Sequence, residues 1–489
     1  MIIKNDPEQF QNYLTDASNY SGFADSVYIP ENGAEVSELL KSFNEKKVRV
    51  TVSGNGTGLN GGRVAEGGVI LSVEKLNKVL ELNIDGKYIR IEPGFMLKDL
   101  QELVESKGLF YPPDPTENNC FIGATVATNA SGARTFKYGP TRDYVLALKL
   151  VLPNGEIVLL ERGQLFSNGY TGKLKTTTGT EINFSIPDYE MPPIKNAAGY
   201  YCKPNVDLID LFIGSEGTLG IITELKLKLI DLPKNVLSCI AFFAAEDDSM
   251  NFIDEARELS LNNSNDNLHA LGLEFFDFNS LEFLRPEFPN IPQNAQAAVW
   301  FEEDFSGDED EVVMRWIELL QKYNCDEESV WLATNKKEQE HFHVFRHSIS
   351  LKVNEVMSRR GLKKVGTDIA VPVLNFRQFH LWLKKIVVDA NLDFVIYGHY
   401  GNCHPHLNML PKDEEEYKKA KSLYGDICTE AIRLNGTISA EHGIGKLKRD
   451  YLIKMFGEDN IRKMAVLKLA FDPNRILNIG NMFDEKYLA

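Results

Sequence analysis

A glycine-rich segment between two short strands constrains the fold of this chain more than any other feature. Residues 53–62 read SGNGTGLNGG and directly follow the predicted strand Val48–Val52. Glycine readily adopts positive φ angles and lets backbone N–H groups approach a ligand, so such a loop can cradle phosphate oxygens. The next predicted strand, Val69–Val73, follows too soon for the segment to open a helix. This spacing argues against a nicotinamide-binding Rossmann loop and leaves a phosphate-binding loop or a flexible turn.

Two later segments favour the phosphate-binding interpretation. Residues 111–145 are dense in Gly, Ala, Ser, Thr and Asn, and their apolar residues are too sparse for an ordinary helix or strand. Residues 212–224 again place glycines immediately before a predicted strand. Small residues and backbone donors suit close wrapping of an extended ligand.

Length, charge and cysteine content limit the class of protein. A chain of 489 residues is too long for one hydrophobic core, so we expect two or three domains. The formal net charge of −17 argues against a nucleic-acid partner. The six cysteines are scattered without a CxxC pair, which argues against an iron–sulfur cluster bound within this chain. Electrons from any redox reaction must therefore pass to an external acceptor.

The N-terminal residues and the hydropathy predict a cytoplasmic protein. Residues 1–14 lack both the apolar core of a signal peptide and the Arg-rich, acid-poor character of a transit peptide. No apolar run approaches the roughly 18 residues needed to span a bilayer. We therefore expect no transmembrane segment and a cytoplasmic location, and we leave open a peripheral attachment to the inner face of the membrane.

The order of the predicted elements indicates an α+β fold in three parts. Before Leu232-Pro233, short strands alternate with few helices, and a hairpin is predicted around Pro153-Asn154-Gly155. After this point strands alternate with long helices, and from His406 onwards the pattern is helical. We predict domains at residues 1–231 and 232–430, and a helical segment at 431–489.

A histidine window indicates metal-assisted chemistry at a hydroxyl group. Four of the nine histidines lie in GHYGNCHPHLN (398–408) and SAEHGIG (439–445): His399, His404, His406 and His442. Glu441 lies beside the last of them. Imidazole nitrogens with a carboxylate suit a borderline divalent metal, and an unligated histidine nearby can accept a proton near neutral pH.

The three glycine-containing segments, the histidine window and the closing FDPNRILNIGN (471–481) together resemble the vanillyl-alcohol-oxidase-type flavoproteins. The likeness is to the branch of D-lactate dehydrogenase, D-2-hydroxyglutarate dehydrogenase and the glycolate oxidase flavoprotein subunit. It covers about residue 20 to Asn481. It implies a two-part FAD-binding domain, an α+β substrate (cap) domain that carries metal ligands, and a C-terminal helical segment that returns to the flavin. The glycine segment has no histidine for covalent attachment, so we predict noncovalent FAD.

The resemblance also implies which residues bind FAD. The pyrophosphate is expected at Gly54, Asn55, Gly56, Thr57, Gly58 and Leu59. The isoalloxazine and ribityl region is expected at Pro113, Asp114, Gly123, Thr128, Asn129 and Gly132. The adenine side is expected at Glu216, Gly217 and Ile222, and Asn478 is expected to approach the ring.

The resemblance makes His399, His406 and Glu441 the metal ligands. We predict Zn²⁺ for this set, and Mn²⁺ or Fe²⁺ would also suit it. His399 and His406 are seven residues apart and would face opposite ways on a regular strand, so we expect Gly401 and Pro405 to bend the chain. We leave His404 out of the ligand set, because a lone loop histidine is more often a surface or packed residue.

The activity that the resemblance implies is oxidation of a D-2-hydroxy acid to the 2-oxo acid. The metal binds the 2-hydroxyl and a carboxylate oxygen, His442 removes the hydroxyl proton as general base, and hydride passes from C2 to flavin N5. Arg346 is expected on the C1 carboxylate, with Ser350 and Asn408 also at the substrate. Lys364 either binds a second carboxylate or is an ordinary basic residue after a helix.

Substrate, electron acceptor and some alternatives stay open. D-lactate, D-2-hydroxyglutarate and glycolate are the candidate substrates. A quinone, an electron-transfer flavoprotein, a cytochrome or an iron–sulfur subunit could accept the electrons, and a homodimer is compatible with the sequence. The alternatives are a non-redox, ether-lipid-synthase-like transferase, a zinc hydrolase with an accessory nucleotide-binding domain, and a noncatalytic subunit of a glycolate-oxidising complex.

Overall fold

The computed structural model describes residues 1–262 and 268–489. The strands are β1 (Ile2–Lys4), β2 (Ser26–Ile29), β3 (Val50–Ser53), β4 (Val69–Ser72), β5 (Val79–Asn83), β6 (Tyr88–Ile91), β7 (Leu109–Phe110), β8 (Val145–Val151), β9 (Ile157–Glu161), β10 (Thr171–Lys175), β11 (Glu181–Ser185), β12 (Ile221–Lys228), β13 (Ile230–Asp231), β14 (Asn235–Phe243), β15 (Ala270–Asp277), β16 (Ala297–Phe305), β17 (Val330–Ala333), β18 (Val365–Gly366), β19 (Phe394–His399) and β20 (His404–Met409). The α-helices are α1 (Gly33–Lys46), α2 (Leu97–Glu105), α3 (Ile122–Thr128), α4 (Thr135–Tyr138), α5 (Glu246–Leu261), α6 (Phe278–Leu284), α7 (Glu309–Lys322), α8 (Lys336–Arg360), α9 (Val373–Asp389), α10 (Glu414–Arg433), α11 (Arg449–Phe456) and α12 (Glu458–Phe471).

The first half of the chain contains two larger sheets and two two-stranded ones, β10-β11 and β7-β13. A four-stranded sheet has the order β1-β2-β4-β3, and its β2, β4 and β3 are parallel. The glycine segment is the connection from β3 to β4, as predicted. An antiparallel five-stranded sheet has the order β5-β6-β12-β8-β9, and β8 and β9 form the hairpin that the turn residues indicated.

Helix α1 shows why the first parallel unit forms. Its N-cap Asn32 accepts a hydrogen bond from the N–H of Glu35, which satisfies a donor that the first turn leaves free. Val36, Leu40 and Phe43 lie on one face at helical spacing and are buried. This face packs in a shared core with strands β3 and β4, so the helix covers the sheet that carries the glycine segment.

A seven-stranded antiparallel sheet forms the second half, in the order β17-β14-β16-β15-β19-β20-β18. On one face α8 contributes Phe345, Ile349 and Val353 to a core with Trp300 of β16. On the other face α5 and α7 pack through Phe252 and Trp316. Strand β15 is central in this sheet, and β19 and β20 beside it carry residues 398–408 of the histidine window.

The C-terminal part comes back to the first sheet. Helix α12 packs on β11, and the residues after it run beside β3. Val50 N–H donates to Ile476 O at 2.7 Å, and Asn478 N–H donates to Val50 O at 2.8 Å. The sheets of the first half end at Asp231 and the seven-stranded sheet begins at Asn235, close to the predicted boundary at 231/232. The domain limits themselves stay a prediction.

Two local expectations were wrong. Residues 111–145 contain the short helices α3 and α4. In α3 Ile122 and Val126 lie one turn apart and are buried, so tertiary packing overrides the low helix propensity of Gly and Thr. Residues after His406 are not helical at once, since β20 continues to Met409. Among the described residues, the structure contains no helix with the length and apolar content needed to cross a bilayer.

Candidate metal and flavin site

The histidines of the window project from a two-stranded hairpin. In the β19–β20 register His399 pairs with His404, and Tyr397 pairs with His406. Cross-strand partners lie on the same face, and so do residues two apart on one strand, so all three imidazoles share one face of the sheet. The chain reverses at residues 400–403, where Cys403 has a φ of 54°. The expected bend is therefore a turn that contains Gly401, whereas Pro405 lies inside β20 and not at the bend.

The three imidazoles meet the carboxylate of Glu441. Each of His399, His404, His406 and Glu441 offers a ligand atom, and these atoms all lie within 4.8 Å of one another. Nε2 of His399 is 3.0 Å from Oε1 of Glu441. The corresponding distances are 3.9 Å for Nδ1 of His404 and 3.9 Å, to Oε2, for Nε2 of His406. The expected ligands His399, His406 and Glu441 do come together, and His404, which we had left out, lies among them.

An acceptor lies behind each ring, on the side away from Glu441. Nδ1 of His399 is 2.6 Å from Oε1 of Glu274, and Nδ1 of His406 is 3.1 Å from the backbone oxygen of Thr367. Nε2 of His404 lies 3.2 Å from Oδ1 of Asp368, although neither of its ring nitrogens makes a well-aligned hydrogen bond within the described part of the chain. Metal-binding histidines commonly have such an acceptor on their second nitrogen.

Burial and mutual charge favour the metal-binding protonation states of His404, His406 and Glu441. At His399 burial is outweighed by the carboxylates of Glu274 and Glu441, which raise its pKa, so a cation would have to displace a proton there. Burial lowers the pKa of His404 to about 4, and burial with the neighbouring His404 and His399 holds the pKa of His406 well below its usual range. Burial opposes the charge of Glu441, but the charges of His399 and Lys195 outweigh it and hold the pKa of this carboxyl well below its usual range. Neutral imidazoles around a carboxylate are the donor set that a divalent cation takes. These residues therefore fit a metal.

His442 lies beside this cluster and is held by Asp368. Nδ1 of His442 is 3.3 Å from Oδ2 of Asp368, and its Nε2 is 4.0 Å from Oε2 of Glu441. The rings of His442 and His406 are nearly parallel, with centroids 5.9 Å apart. Asp368 also accepts hydrogen bonds from the N–H groups of Glu441 and His442, at 3.1 and 3.0 Å. One buried carboxylate thus fixes both the backbone and the ring of the expected base.

Lys195 reaches the cluster from the first half of the chain. Its Nζ pairs with Oε1 of Glu441 and lies 3.3 Å from the backbone oxygen of Gly132, and its side chain is 4% exposed. No sequence motif includes Lys195, Asp368 or Glu274. Each is far from the window in the chain, and no local spacing marks it.

Two side chains connect the first and third glycine-containing segments with the loop at residues 441–445. Asn478 accepts a hydrogen bond from Val52 N–H at 2.8 Å and donates to Glu216 O at 2.7 Å. The carboxylate of Glu216 accepts hydrogen bonds from Ile444 N–H at 2.6 Å and Gly445 N–H at 2.8 Å. Asn478 thus joins the first and third segments, and Glu216 joins the third segment to the loop that carries Glu441 and His442.

The loop at residues 54–60 fits a phosphate-containing cofactor. It is irregular, and the backbone N–H groups of residues 55–60 donate to no other backbone group of the described chain. Gly56 has a φ of 81°. Thr57, Gly58 and Leu59 lie half-buried or exposed beside it, and Asn55 donates to Asn119 O in the second segment at 2.6 Å. Free backbone donors in a glycine-rich turn are the usual means of binding phosphate oxygens.

Several of the expected FAD residues also have partners inside the protein. Gly123 and Gly132 pack so closely that a Cβ atom would lie 2.4 Å from Pro93 Cβ and 1.7 Å from Asp114 O, respectively. The hydroxyl of Thr128 donates to Ala124 O at 3.0 Å. The remaining expected positions are the left-handed Asn129, the buried Pro113 and Ile222, the half-buried Gly54 and Asp114, and Gly217, whose φ is 69°.

Of the expected substrate residues, Arg346 and Asn408 are buried close to the histidines, whereas Ser350 and Lys364 are half-buried. Arg346 donates through Nε to Oε2 of Glu274 at 3.1 Å. The other oxygen of the same carboxylate contacts Nδ1 of His399. Asn408 continues the row of His404 and His406 along β20 and is 4% exposed. Ser350 is half-buried one turn after Arg346. Lys364 is half-buried just before β18, and the described residues contain no ion pair to it.

Comparisons with known proteins identify two families along the chain. The family described as "FAD binding domain" matches residues 24–161, and the family described as "FAD linked oxidases, C-terminal domain" matches residues 237–482. The glycolate oxidase subunit GlcD of Bacillus subtilis is 31% identical over 99% of this chain and 96% of its own length. A D-lactate dehydrogenase of Anaerostipes hadrus is 32% identical over 92% of this chain and 87% of its own length.

A solved structure shares the fold. An alkyldihydroxyacetonephosphate synthase superposes with a TM-score of 0.67 at 16% identity, covering 97% of this chain and 81% of its own. Fold and site thus define an FAD-dependent oxidoreductase, with a flavin-binding half and a second α+β half. The chain belongs to the family of FAD-linked oxidases that includes relatives named as D-lactate dehydrogenase, D-2-hydroxyglutarate dehydrogenase and GlcD.

Proposed function

We propose that this protein is an FAD- and divalent-metal-dependent dehydrogenase that oxidises a D-2-hydroxy acid to the 2-oxo acid and passes the electrons to an external acceptor. The observation that carries the proposal is the cluster of His399, His404, His406 and Glu441, with His442 beside it. Glu216 connects this cluster to the flavin-binding segments. A set of metal-binding side chains beside a flavin site suits the oxidation of a hydroxyl group.

The oxidation removes a hydride from C2 and a proton from the 2-hydroxyl. When bound, FAD supplies an acceptor for the hydride, and a divalent cation supplies positive charge that makes the hydroxyl more acidic. His442 accepts the hydroxyl proton at Nε2, since its Nδ1 faces Asp368. Asp368 stabilises the imidazolium that forms and keeps the ring oriented.

We assign His404 to the metal together with His399, His406 and Glu441. Four protein ligands fill a tetrahedral Zn²⁺ site, whereas a catalytic ion needs open positions for its substrate. Mn²⁺ or Fe²⁺ accepts more ligands and would keep room for the hydroxyl and one carboxylate oxygen. The geometry therefore favours these ions over the Zn²⁺ expected from the sequence.

Arg346 is our choice for the C1 carboxylate of the substrate. Its Nε is used by Glu274, which leaves N–H groups of its terminal nitrogens for an incoming carboxylate. Ser350 lies one turn after Arg346 on the same face of α8. Asn408 lies on the same face of β20 as His404 and His406. D-lactate, glycolate and D-2-hydroxyglutarate all meet these requirements, and only the last would use Lys364.

Anaerobic bleaching of the bound flavin tests the proposal. We expect D-lactate, glycolate or D-2-hydroxyglutarate to reduce the flavin of metal-replete protein, and we expect chelation to suppress this reduction while FAD stays bound. Readdition of Mn²⁺ or Fe²⁺ should restore it. If no 2-hydroxy acid reduces the flavin of the metal-replete protein, the proposed reaction is wrong.

The remaining alternatives have weaker support. Membership of a flavoprotein family removes the basis for a zinc hydrolase. A non-redox transferase of this fold has no use for the metal cluster, and a noncatalytic subunit has no use for the base beside it. If the flavin is still reduced at the same rate after complete metal removal, the proposed metal dependence is wrong.

A further inference from the structure

Glu274 is a buried carboxylate at the centre of the seven-stranded sheet. It lies on β15 and is 3% exposed. Its cross-strand partner on β19 is His399, and its partner on β16 is Trp300. Cross-strand partners project from the same face, so the sheet register itself places the carboxylate against the expected metal ligand.

The two oxygens of Glu274 serve two different residues. Oε1 lies 2.6 Å from Nδ1 of His399, and Oε2 accepts a hydrogen bond from Nε of Arg346 at 3.1 Å. The guanidinium of Arg346 lies over the ring of Trp300, 5.6 Å from its centroid, and its Nη1 is 3.2 Å from Nε2 of His347. Arg346 is therefore held on several sides, and Glu274 provides its only carboxylate within the described residues.

We propose that Glu274 is a positioning residue that couples the metal ligand His399 to the substrate-carboxylate anchor Arg346. This inference rests on the proposed function, since it gives both partners a role in the oxidation. By accepting from Nδ1–H, Glu274 leaves Nε2 of His399, directed at Glu441 3.0 Å away, as the nitrogen that a cation would take. By holding Nε of Arg346, the same carboxylate fixes the plane in which the terminal nitrogens meet a substrate.

The substitution Glu274→Gln keeps the shape of the side chain but removes one of its two acceptor oxygens, so it tests the hydrogen bonds and not the packing. The two partners, Nδ1–H of His399 and Nε–H of Arg346, are both donors, and a carboxylate can accept from both. An amide of the same shape offers one acceptor and one donor, so it must lose one of the two contacts. If its NH₂ group faces His399, the ring has to carry its proton on Nε2 and no longer binds a metal in that position. If its NH₂ group faces Arg346, two donors oppose each other.

The test compares Glu274→Gln with Glu302→Gln, both in FAD-loaded protein. Glu302 is equally buried on the neighbouring strand and accepts from Arg134 at 3.1 Å, but it makes no contact with the metal cluster. We expect Glu274→Gln to weaken Mn²⁺ binding to the metal-free protein by about 10- to 100-fold, the usual loss for an acceptor behind a metal-binding histidine. At saturating Mn²⁺ the KM for the 2-hydroxy acid should rise more than kcat falls. Glu302→Gln should leave Mn²⁺ affinity unchanged, and both variants should retain FAD.

A second variant keeps the inference testable if Glu274→Gln does not fold. Arg346→Lys keeps the positive charge but replaces the rigid fork by a flexible point charge, so Oε2 of Glu274 is no longer fixed. Coupling predicts that Mn²⁺ affinity falls by about twofold or more although the substituted residue does not touch the ion. Unchanged Mn²⁺ affinity in a folded Glu274→Gln variant, or in Arg346→Lys when Glu274→Gln does not fold, overturns the inference and leaves the proposed function intact. A wild-type protein that binds no divalent metal overturns both.

Discussion

The two halves of the candidate site are built in opposite ways. On the flavin side, loops between strands offer backbone N–H groups, and the side chains of Asn478 and Glu216 hold those loops together. On the histidine side, a regular hairpin projects side chains from one face, and buried carboxylates orient them. Backbone conformation makes the first half and side-chain chemistry makes the second.

This difference predicts that the two halves fail separately. Changes on the flavin side act through steric fit and should reduce FAD binding. Changes on the histidine side act through ligands and proton transfer, and should reduce metal binding or turnover with FAD retained. Glu216 is the exception, because it belongs to the third flavin segment and binds the loop that carries Glu441 and His442.

The largest effect is expected for His442→Ala. Loss of a general base slows the reaction by about 10²- to 10⁴-fold. We expect this loss in the rate of anaerobic flavin reduction, with FAD and metal contents like those of the wild type. His341→Ala, an exposed histidine on α8, is the control and should change none of these quantities. A variant that loses FAD together with activity would show that the two halves are not separable here.

His404→Ala tests whether the hairpin supplies three metal ligands. Removing a ligand should weaken metal binding by at least about 10- to 100-fold, the range known for outer partners of ligands. Metal titration of the FAD-loaded, metal-free variant measures this, again with His341→Ala beside it. If His404→Ala binds the metal as tightly as the wild type does, His404 is not a ligand and is a packed residue, as expected from the sequence.

Glu216→Gln should damage both halves at once. The carboxylate accepts from the N–H groups of Ile444 and Gly445, and an amide cannot accept from both. An opposed buried donor costs about 1–3 kcal/mol, so both FAD affinity and kcat should fall. Equilibrium FAD binding and steady-state kinetics check this, with Glu224→Gln on the partly exposed part of β12 as control. A fall in FAD affinity alone would mean that the loop at residues 441–445 is held by other contacts.

Gly123→Ala is expected to have the smallest effect and to stay on the flavin side. A Cβ atom here lies 2.4 Å from Pro93 Cβ, and such overpacking costs about 1–3 kcal/mol. FAD content and the unfolding temperature should decrease while metal affinity persists. Gly425→Ala in α10, where a Cβ atom meets nothing closer than 3.9 Å, is the matched control. If Gly123→Ala loses metal affinity, the flavin side and the histidine side do not fail separately.

Local sequence patterns predicted most of the helices and strands but not the tertiary contacts that form the site. The strand–helix–strand of residues 27–52 and the hairpin at 145–161 follow from periodicity and turn chemistry, which act over short distances. Glu274 and His399 are separated by 125 residues, and Lys195 and Glu441 by 246. Nothing near these residues in the chain marks their partners, so only the tertiary structure identifies them.

His404 could have been recognised from its spacing. Histidines two apart face the same way on a strand, and a reversal at 400–403 would pair His404 with His399. From the sequence we instead expect a bend at Pro405, and a proline cannot donate a ladder hydrogen bond within a strand. In the structure β18 pairs only with Asn408 and Met409, so Pro405 lies where β20 has a single neighbouring strand. The missing N–H therefore removes no bond on that side.

The link from Asn478 to β3 determines when the cofactor site can be completed. Val52 and Asn478 are separated by 426 residues, and both hydrogen bonds of the Asn478 side chain are needed to close the first segment against the third. A growing polypeptide that has already folded its early sheets still lacks this closure until residue 478 has left the ribosome. We therefore expect tight loading of the flavin to be a late event in biosynthesis, and chains that terminate before this point to accumulate without the colour of bound FAD.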